Sequence, residues 1–418
     1  MLSTRMLSLR SAILSCPKGF RSLRWHHMAH KSAFDARRRN MIIGLVLLLF
    51  LFLLHQAILR NFSLVTRHPW ETEDSTQDIK TTDSVKDTTV IPNIVHFVHL
   101  VRAEKPVIEF SFQQFIAVYS AWHYLQPEAL YIHTNIEEAL IKKTLSNSAN
   151  AYTQAIGKLP GVRINHHSAP NQTESGMEIS WLPNQSDFVR TEVLERLGGI
   201  YLDDDAYILR DLKPFYRLGF ENIVGIQSDG QICPAVIMST PHNNMMIAYR
   251  ALQDSAFDGT WAHHATYLLS ALVRAFQFPA YQVLVLSQAT FFPLSWDVDA
   301  LKDIYQVHEG DGDLSPAIND KLTQNVTDFI KNFSFDHTAS WRRDWRLSYV
   351  LHGWNTGLQT NFHDESYTQL FGQSEGITLG YVLTGNSNFA RAVLPAVKHA
   401  VDSGVLAQNS SMPEQKSP

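Results

Sequence analysis

The sequence predicts an α/β domain with a mostly parallel central sheet over residues 90–402, preceded by one transmembrane helix. Three observations carry this. From Val90 onward, apolar runs rich in β-branched residues alternate with helical patterns, the rhythm of βαβ units. A Gly198-Gly199 pair joins a helical segment to a strand that ends on three consecutive aspartates. An apolar run follows a basic leader near the N-terminus.

In chain order, residues 1–40 hold nine Lys or Arg against one acid, Asp35. Every residue from Met41 to Leu54 is apolar or glycine, and the stretch runs on to Leu59. Nineteen helical residues span about the width of a thin bilayer. The basic flank holds the N-terminus in the cytosol, so 41–59 reads as the signal anchor of a single-pass type II membrane protein. The run lies too far from the terminus, and lacks a convincing small-residue cleavage site, for a typical removed signal peptide. The Arg- and Ser-rich leader is also compatible with a mitochondrial transit peptide.

Residues 60–89 are rich in Thr, Asp, Ser and Lys and read as a flexible stem; residues 403–418 read as a disordered polar tail. Six Asn-x-Ser/Thr sequons, at Asn61, Asn171, Asn184, Asn325, Asn332 and Asn409, fit a secretory lumen. Cys16 and Cys233 fall on opposite sides of the expected membrane, which rules out a disulfide between them.

Of 418 residues, 45% are hydrophobic and 11% aromatic, enough for a substantial core without disulfides. Beyond residue 60 there remain 25 basic and 39 acidic residues, a net charge of −14. That balance argues against nucleic acid as a partner and calls for a cation wherever an anionic ligand binds.

Within the domain, Ile94–His99, Ala129–His133 and Val162–His166 read as strands, with a helix over Phe110–Leu125. Ser186 reads as the cap of a helix from Asp187 to Leu197, with Val189, Val193 and Leu197 as its buried stripe and Gly198 as its stop. Asp187 and Arg190, three apart, then share a face near the positive end of that helix. Strand character on both flanks of Asp203-Asp204-Asp205 implies an Asp-x-Asp pair, with Asp203 and Asp205 pointing one way and Asp204 the other. Ionised carboxylates packed this closely among apolar residues need a counter-charge, and an oxygen-seeking Mn²⁺ or Mg²⁺ supplies it. Trp181, Trp261 and Trp296 are read as core residues.

The ordered set Ser186-Asp187, Arg190, Gly198-Gly199-Ile200-Tyr201-Leu202-Asp203 and Asp205 resembles the sugar-binding region of Asp-x-Asp glycosyltransferases. That family includes α-1,4-galactosyltransferases, initiating α-1,6-mannosyltransferases and, more distantly, the glucosylating clostridial toxins. Ile91–Phe97 is similar to the family's first strand, and Tyr349-Val350-Leu351-His352-Gly353-Trp354-Asn355 to the end of the galactosyltransferase domain, so the resemblance spans roughly residues 90–360.

The resemblance implies a GT-A-like nucleotide-sugar-binding fold with Asp203, Asp205 and Arg190 as catalytic residues. It implies a donor-binding set of Asp187, Arg190, Asp204 and Tyr201, and a metal site of Asp203, Asp205 and His352, with His337 the other candidate for the third ligand. The implied function is metal-dependent, retaining transfer of a hexose from a nucleotide-sugar donor (a UDP-hexose or GDP-mannose) to a glycan or glycolipid hydroxyl at the Golgi membrane. The alternative is a membrane-anchored carbohydrate-binding protein that keeps the fold without turnover. One departure stands out: His263-His264-Ala265-Thr266 occupies the place of the Gly-Pro element found in related galactosyltransferases, which leaves the hexose open.

Overall fold

The computed structural model describes residues 90–147, 150–277, 282–309 and 341–407. The tail at 1–40, the anchor at 41–59, the stem at 60–89 and His337 lie outside the described residues. Among the described residues, no helix is long and apolar enough to cross a membrane.

The first half alternates strands and helices as expected: β1 (Ile94–Val98), α1 (Phe112–Leu125), β2 (Ala129–Thr134), α2 (Glu138–Asn147), α3 (Ala151–Lys158), β3 (Val162–His166), α4 (Leu182–Leu197) and β4 (Gly199–Leu202). There follow β5 (Ala206–Ile208), α5 (Lys213–Tyr216), β6 (Asn222–Ile226), β7 (Ile232–Ser239), α6 (Asn244–Ala256), a π-helical turn (His263–Tyr267) and α7 (Leu268–Phe276). The described chain continues through β8 (Val283–Leu286), α8 (Gln288–Phe291), α9 (Val298–Tyr305), β9 (Val350–His352), α10 (Asn355–Asn361), α11 (Asp364–Phe371), α12 (Leu379–Thr384) and α13 (Asn388–Asp402).

Seven strands form the main sheet in the order β3-β2-β1-β4-β7-β6-β8. Only β7 runs against its neighbours, so the fold is mixed α/β with a mostly parallel sheet. Alternate residues of the central strands enter two apolar clusters on opposite faces. Ile200 and Leu202 join one with Val236 and Met238, whereas Tyr201 joins the other with Ile237. A sheet buried on both faces accounts for the near-continuous apolar strands.

Three local expectations are corrected. The two flanks of the aspartates are separate strands in separate sheets: β4 lies in the main sheet, while β5 pairs with β9 in a two-stranded one. Helix α4 begins at Leu182, not after Ser186; Trp181 occupies the cap position without a side-chain hydrogen bond, and Pro183 pre-sets the first turn. Asp187 and Arg190 therefore sit beyond the first turn, where the end charge of the helix has faded. The buried stripe of α4 uses Val189, Val193 and Leu194, and Leu197 is exposed.

The Gly-Gly junction behaves as read. The Gly198 N–H closes the helix onto Leu194 O at 2.9 Å. Gly199 takes φ +101, and a Cβ there would collide with the Ile94 carbonyl oxygen and crowd the His96 ring. The close approach of β4 to β1 thus requires glycine. Asn184, one of the sequon residues, is buried inside α4.

Candidate functional site

The end of β4 delivers Asp203 into a tight turn, closed by the Ala206 N–H donating to Asp203 O at 2.9 Å. It is this turn, and not strand alternation, that turns Asp203 and Asp205 toward one centre. The third member arrives from far along the chain through strand pairing. In the β5–β9 ladder Ala206 is opposite His352, which sets the imidazole beside the turn. One ligand atom each from Asp203, Asp205 and His352 falls within a 4.8 Å cluster. The His352 Nε2 lies 3.1 Å from Asp205 Oδ1 and 3.8 Å from Asp203 Oδ2.

Backbone contacts hold the turn in place. The N–H groups of Gly353 and Asn355 donate to the carbonyl and carboxylate of Asp205, each at 2.8 Å. Gly353 has no room for a side chain, since a Cβ would meet Tyr305 Oη at 2.9 Å and Tyr207 at 3.0 Å. The following residue, Trp354, adopts φ +53, a strained conformation for a bulky side chain. Its indole Nε1 donates to Leu294 O at 2.9 Å, and its ring meets His352 edge-on at 4.2 Å.

Arg190 forms the second half of the floor. It is buried, with Nη2 at 2.6 Å from Asp187 Oδ1 and 3.5 Å from Asp203 Oδ1, and Nη1 donating to Pro234 O at 2.8 Å. Its guanidinium lies 4.7 Å over the ring of Tyr201, whose hydroxyl donates to Asp203 Oδ1 at 2.7 Å. Asp187 gives its other oxygen to His264 Nε2 at 2.9 Å. His264 is fully buried on the π-helical turn and stacked on Phe188, and its Nδ1 has no hydrogen-bond partner among the described residues. Single π-turns of this kind are frequent at functional sites. Asp204 faces elsewhere: its Oδ2 accepts from Gln114 Nε2 at 2.6 Å. Gln114 is also the third residue of the capping box that Ser111 opens at the start of α1.

Electrostatics follow from this crowding. Burial works to raise the pKa of Asp203, but Arg190, His352 and the Tyr201 hydroxyl outweigh it and hold the carboxyl well below the usual range. Burial and the neighbouring Asp205 push Asp204 up to about 7. For His352, burial alone would lower the pKa; the carboxylates of Asp205 and Asp203 overcome it and lift the value to about 9. Burial opposes the charge on Arg190, and Asp203, Tyr201 and Asp187 more than restore it.

These groups line a cleft of about 720 Å³ that also takes in Val98, His99 and Leu100 at the end of β1. Its position at the carboxyl ends of parallel strands is where open α/β sheets bind ligands. All seven residues expected from the sequence, Tyr201, Asp187, Arg190, Asp203, Asp204, Asp205 and His352, line it. Tyr201 does so from a nearly inaccessible position, 1% exposed, beneath Asp203.

A divalent cation fits the cluster on one structural ground in particular. Among the described residues, the buried His352 Nε2 has no hydrogen-bond partner, although two carboxylates lie close by. An imidazole with two carboxylates suits Mn²⁺, and the carboxylates also suit Mg²⁺.

Sequence reasoning did not find Gln114, His264 as a partner of Asp187, or the support that Asn355 gives Asp205. The Ser111-x-x-Gln114 capping box was a usable signal for the first; the other two depend on pairings between distant segments. The three tryptophans read as core are instead exposed, Trp181 by 61%, Trp261 by 46% and Trp296 by 38%.

The family model of the glycosyltransferase sugar-binding region containing the DXD motif matches residues 114–228. That span runs from Gln114 through α4 and the aspartate turn to the end of β6. Among curated proteins, the chain is similar to Glucan organizing enzyme 1 of Cryptococcus neoformans var. grubii, at 24% identity over 241 residues. That match covers 53% of this chain and 59% of the relative, so the chain spans less than two thirds of that protein's length. Solved structures with local similarity include the PaToxG glycosyltransferase (14% identity, 45% of this chain and 72% of that one, TM-score 0.32). Another is the apo form of the glycosyltransferase GlyE of Streptococcus pneumoniae TIGR4 (10% identity, 75% and 64%, TM-score 0.34).

Proposed function

From the premise that this chain carries the DXD-containing sugar-binding region of glycosyltransferases, we propose that it is a metal-dependent, retaining hexosyltransferase of GT-A-like fold. In this reading it uses a UDP-hexose or GDP-mannose donor and a glycan or glycolipid hydroxyl as acceptor. It works in the Golgi lumen, anchored by residues 41–59. The observation that carries the reading is the convergence of Asp203, Asp205 and His352 beside the buried Arg190–Asp187 pair.

Asp203, Asp205 and His352 would hold Mn²⁺ or Mg²⁺, which supplies Lewis-acid stabilisation of the departing nucleoside diphosphate. Arg190 brings a fixed positive charge to the same region. Its fork is pre-aimed by Asp187 and Pro234 O, so little reorganisation is needed as negative charge develops. Asp187, held from both sides by Arg190 and His264, presents its remaining lone pairs to hexose hydroxyls. Tyr201 keeps the Asp203 carboxylate oriented from beneath. Gln114 and Asp204 lie with His99 near the β1 end of the cleft, a suitable place for the ribose and base.

Retention is read as front-face attack, with the acceptor hydroxyl proton passing to the leaving phosphate as the new glycosidic bond forms. The test is release of nucleoside diphosphate by the purified full chain from UDP-Gal, UDP-Glc, UDP-GlcNAc and GDP-Man, with Mn²⁺ and with EDTA. The reading expects one donor to be turned over with Mn²⁺ and none with EDTA; turnover that ignores EDTA would overturn the metal-dependent part.

A further inference from the structure

The exposed aromatic side chains of the described residues are not scattered over the surface. Four are exposed, Trp181, Trp261, Tyr267 and Trp296, and all four belong to the mouth of one cleft. Trp261, Tyr267 and Trp296 line it directly; Trp181 packs edge-on against Trp261 at 6.1 Å and precedes Leu182, another lining residue. They form two ledges. Trp181, Trp261 and Tyr267 come from the start of α4 and the segment through the π-helical turn. Trp296 comes from the loop before α9 and meets the strained Trp354 at 5.2 Å. Single exposed apolar residues need no explanation, but large aromatics gathered at one opening mark a binding surface.

The chemistry between the rings identifies the occupant. Thr266, Thr356, Thr360 and Asn361 line the same cleft and offer uncharged hydrogen-bonding groups. Among the described lining residues the one Lys or Arg is Arg190, already engaged on the floor by Asp187 and Pro234 O. Aromatic faces and neutral polar groups, with Asp229 the one further acid and no cation among the described lining residues beyond the floor, suit an uncharged ligand that has both an apolar face and a hydroxyl edge. A pyranose ring has this form. A nucleotide or an anionic lipid headgroup would instead call for basic residues at the rim.

We infer that the two ledges, centred on Trp261 and Trp296, are stacking subsites for a neutral oligosaccharide, so that the acceptor is an extended glycan and not a single sugar. The assignment to the acceptor, as opposed to the donor, rests on the glycosyltransferase reading above. With a divalent cation bound, the buried floor of Arg190, Asp203, Asp205 and His352 would suit an anionic donor, and the exposed rim what enters afterwards and projects into solvent.

The test uses the full chain without donor. Binding of gluco- and manno-oligosaccharides of one to six units is followed by saturation-transfer difference NMR. Wild type, Trp261→Ala, Trp296→Ala and the Phe variants at both positions are compared, and Mn²⁺–UDP and Mn²⁺–GDP binding is measured in parallel. The expected result is oligosaccharide affinity above monosaccharide affinity, about tenfold weaker in each Ala variant and largely kept in each Phe variant, with nucleotide affinity unmoved. Loss of nucleotide affinity with unchanged sugar binding would make the rim a base-stacking platform and overturn the inference. Loss of binding to phosphatidylcholine vesicles alone would make it a membrane contact and overturn it equally. Sugar binding requires no turnover, so this outcome is separable from failure of the enzymatic reading.

Discussion

The His352 Nε2 and the Asp205 Oδ1 stand 3.1 Å apart in the interior, yet the imidazole nitrogen makes no hydrogen bond among the described residues. Two carboxylates therefore compete for either a proton or a metal ion at one imidazole. The pKa of His352, about 9, means that the proton occupies it at neutral pH until a cation displaces it. Cation binding should then release about one proton, and apparent Mn²⁺ affinity should rise about tenfold per pH unit between pH 6 and 8. Calorimetry in two buffers of different ionisation enthalpy measures that proton. His352→Gln should remove it and flatten the pH dependence.

Asp203 connects the two halves of the floor, touching Arg190 and Tyr201 on one side and approaching His352 on the other. Among the described residues, Asp203→Ala leaves Arg190 with Asp187 as its one close acidic partner and removes the acceptor of the Tyr201 hydroxyl. Turnover should fall by at least about 100-fold while the thermal transition stays cooperative, since the side chain sits at the cleft surface. Steady-state kinetics with a melting curve on the same sample checks both parts.

His264 is hydrogen-bonded to Asp187 at 2.9 Å, so its effect on a donor would pass through that carboxylate. His264→Ala frees one Asp187 oxygen and opens a space beside Phe188. Donor kcat/KM should fall by about tenfold or more, as expected for loss of a charge-assisted hydrogen bond, with Mn²⁺ affinity unchanged. His264→Gln, which can still donate to Asp187, should recover part of the loss. Equal damage to metal binding would show that the site has collapsed more widely.

Buried histidines should set an acid limit on the fold. Burial pulls the pKa of His96 down to about 4 and that of His133 to about 2, where the neighbouring His96 and His167 add to the effect. His96 shares a hydrogen bond with His133 at 3.0 Å and contacts Gly198 O at 2.9 Å, under the Gly-Gly junction. The unfolded chain takes up protons near pH 6.5, whereas these native rings do not. Nothing is lost above that pH, and stability falls as pH drops below it. Each ring contributes a slope of about 1.4 kcal/mol per pH unit down to its folded pKa. Because the raised values of His352 and Asp204 act in the opposite direction, urea unfolding of the wild type and of His96→Gln is compared at pH 7.5 and 5.5; the same pH dependence in both proteins would contradict the claim.

The main sheet was legible because β1, β2 and β3 are short β-branched runs and the Gly-Gly junction has a single steric meaning. The start of α4 was not, because Ser186 has the chemistry of a cap while the true boundary rests on Pro183 and a cap residue that makes no side-chain hydrogen bond. Reading the aspartate flanks as one strand failed for a related reason. Local pattern reports extended backbone but not which partner it pairs with, and the β5–β9 ladder joins segments far apart in the chain. That ladder brings His352 to the aspartates, so family resemblance found His352 where periodicity alone would have passed over it. The tryptophans were misread because large aromatics are usually core, whereas these three are exposed at or beside the mouth of the cleft.

The most direct measurement is nucleoside diphosphate release by wild type and Asp205→Ala over a Mn²⁺ titration, using the donor that the wild type prefers. The account predicts saturable Mn²⁺ activation in the wild type and its loss in the variant, with both proteins giving the same circular dichroism. A correctly folded Asp205→Ala protein that keeps the wild-type rate and Mn²⁺ response would contradict it.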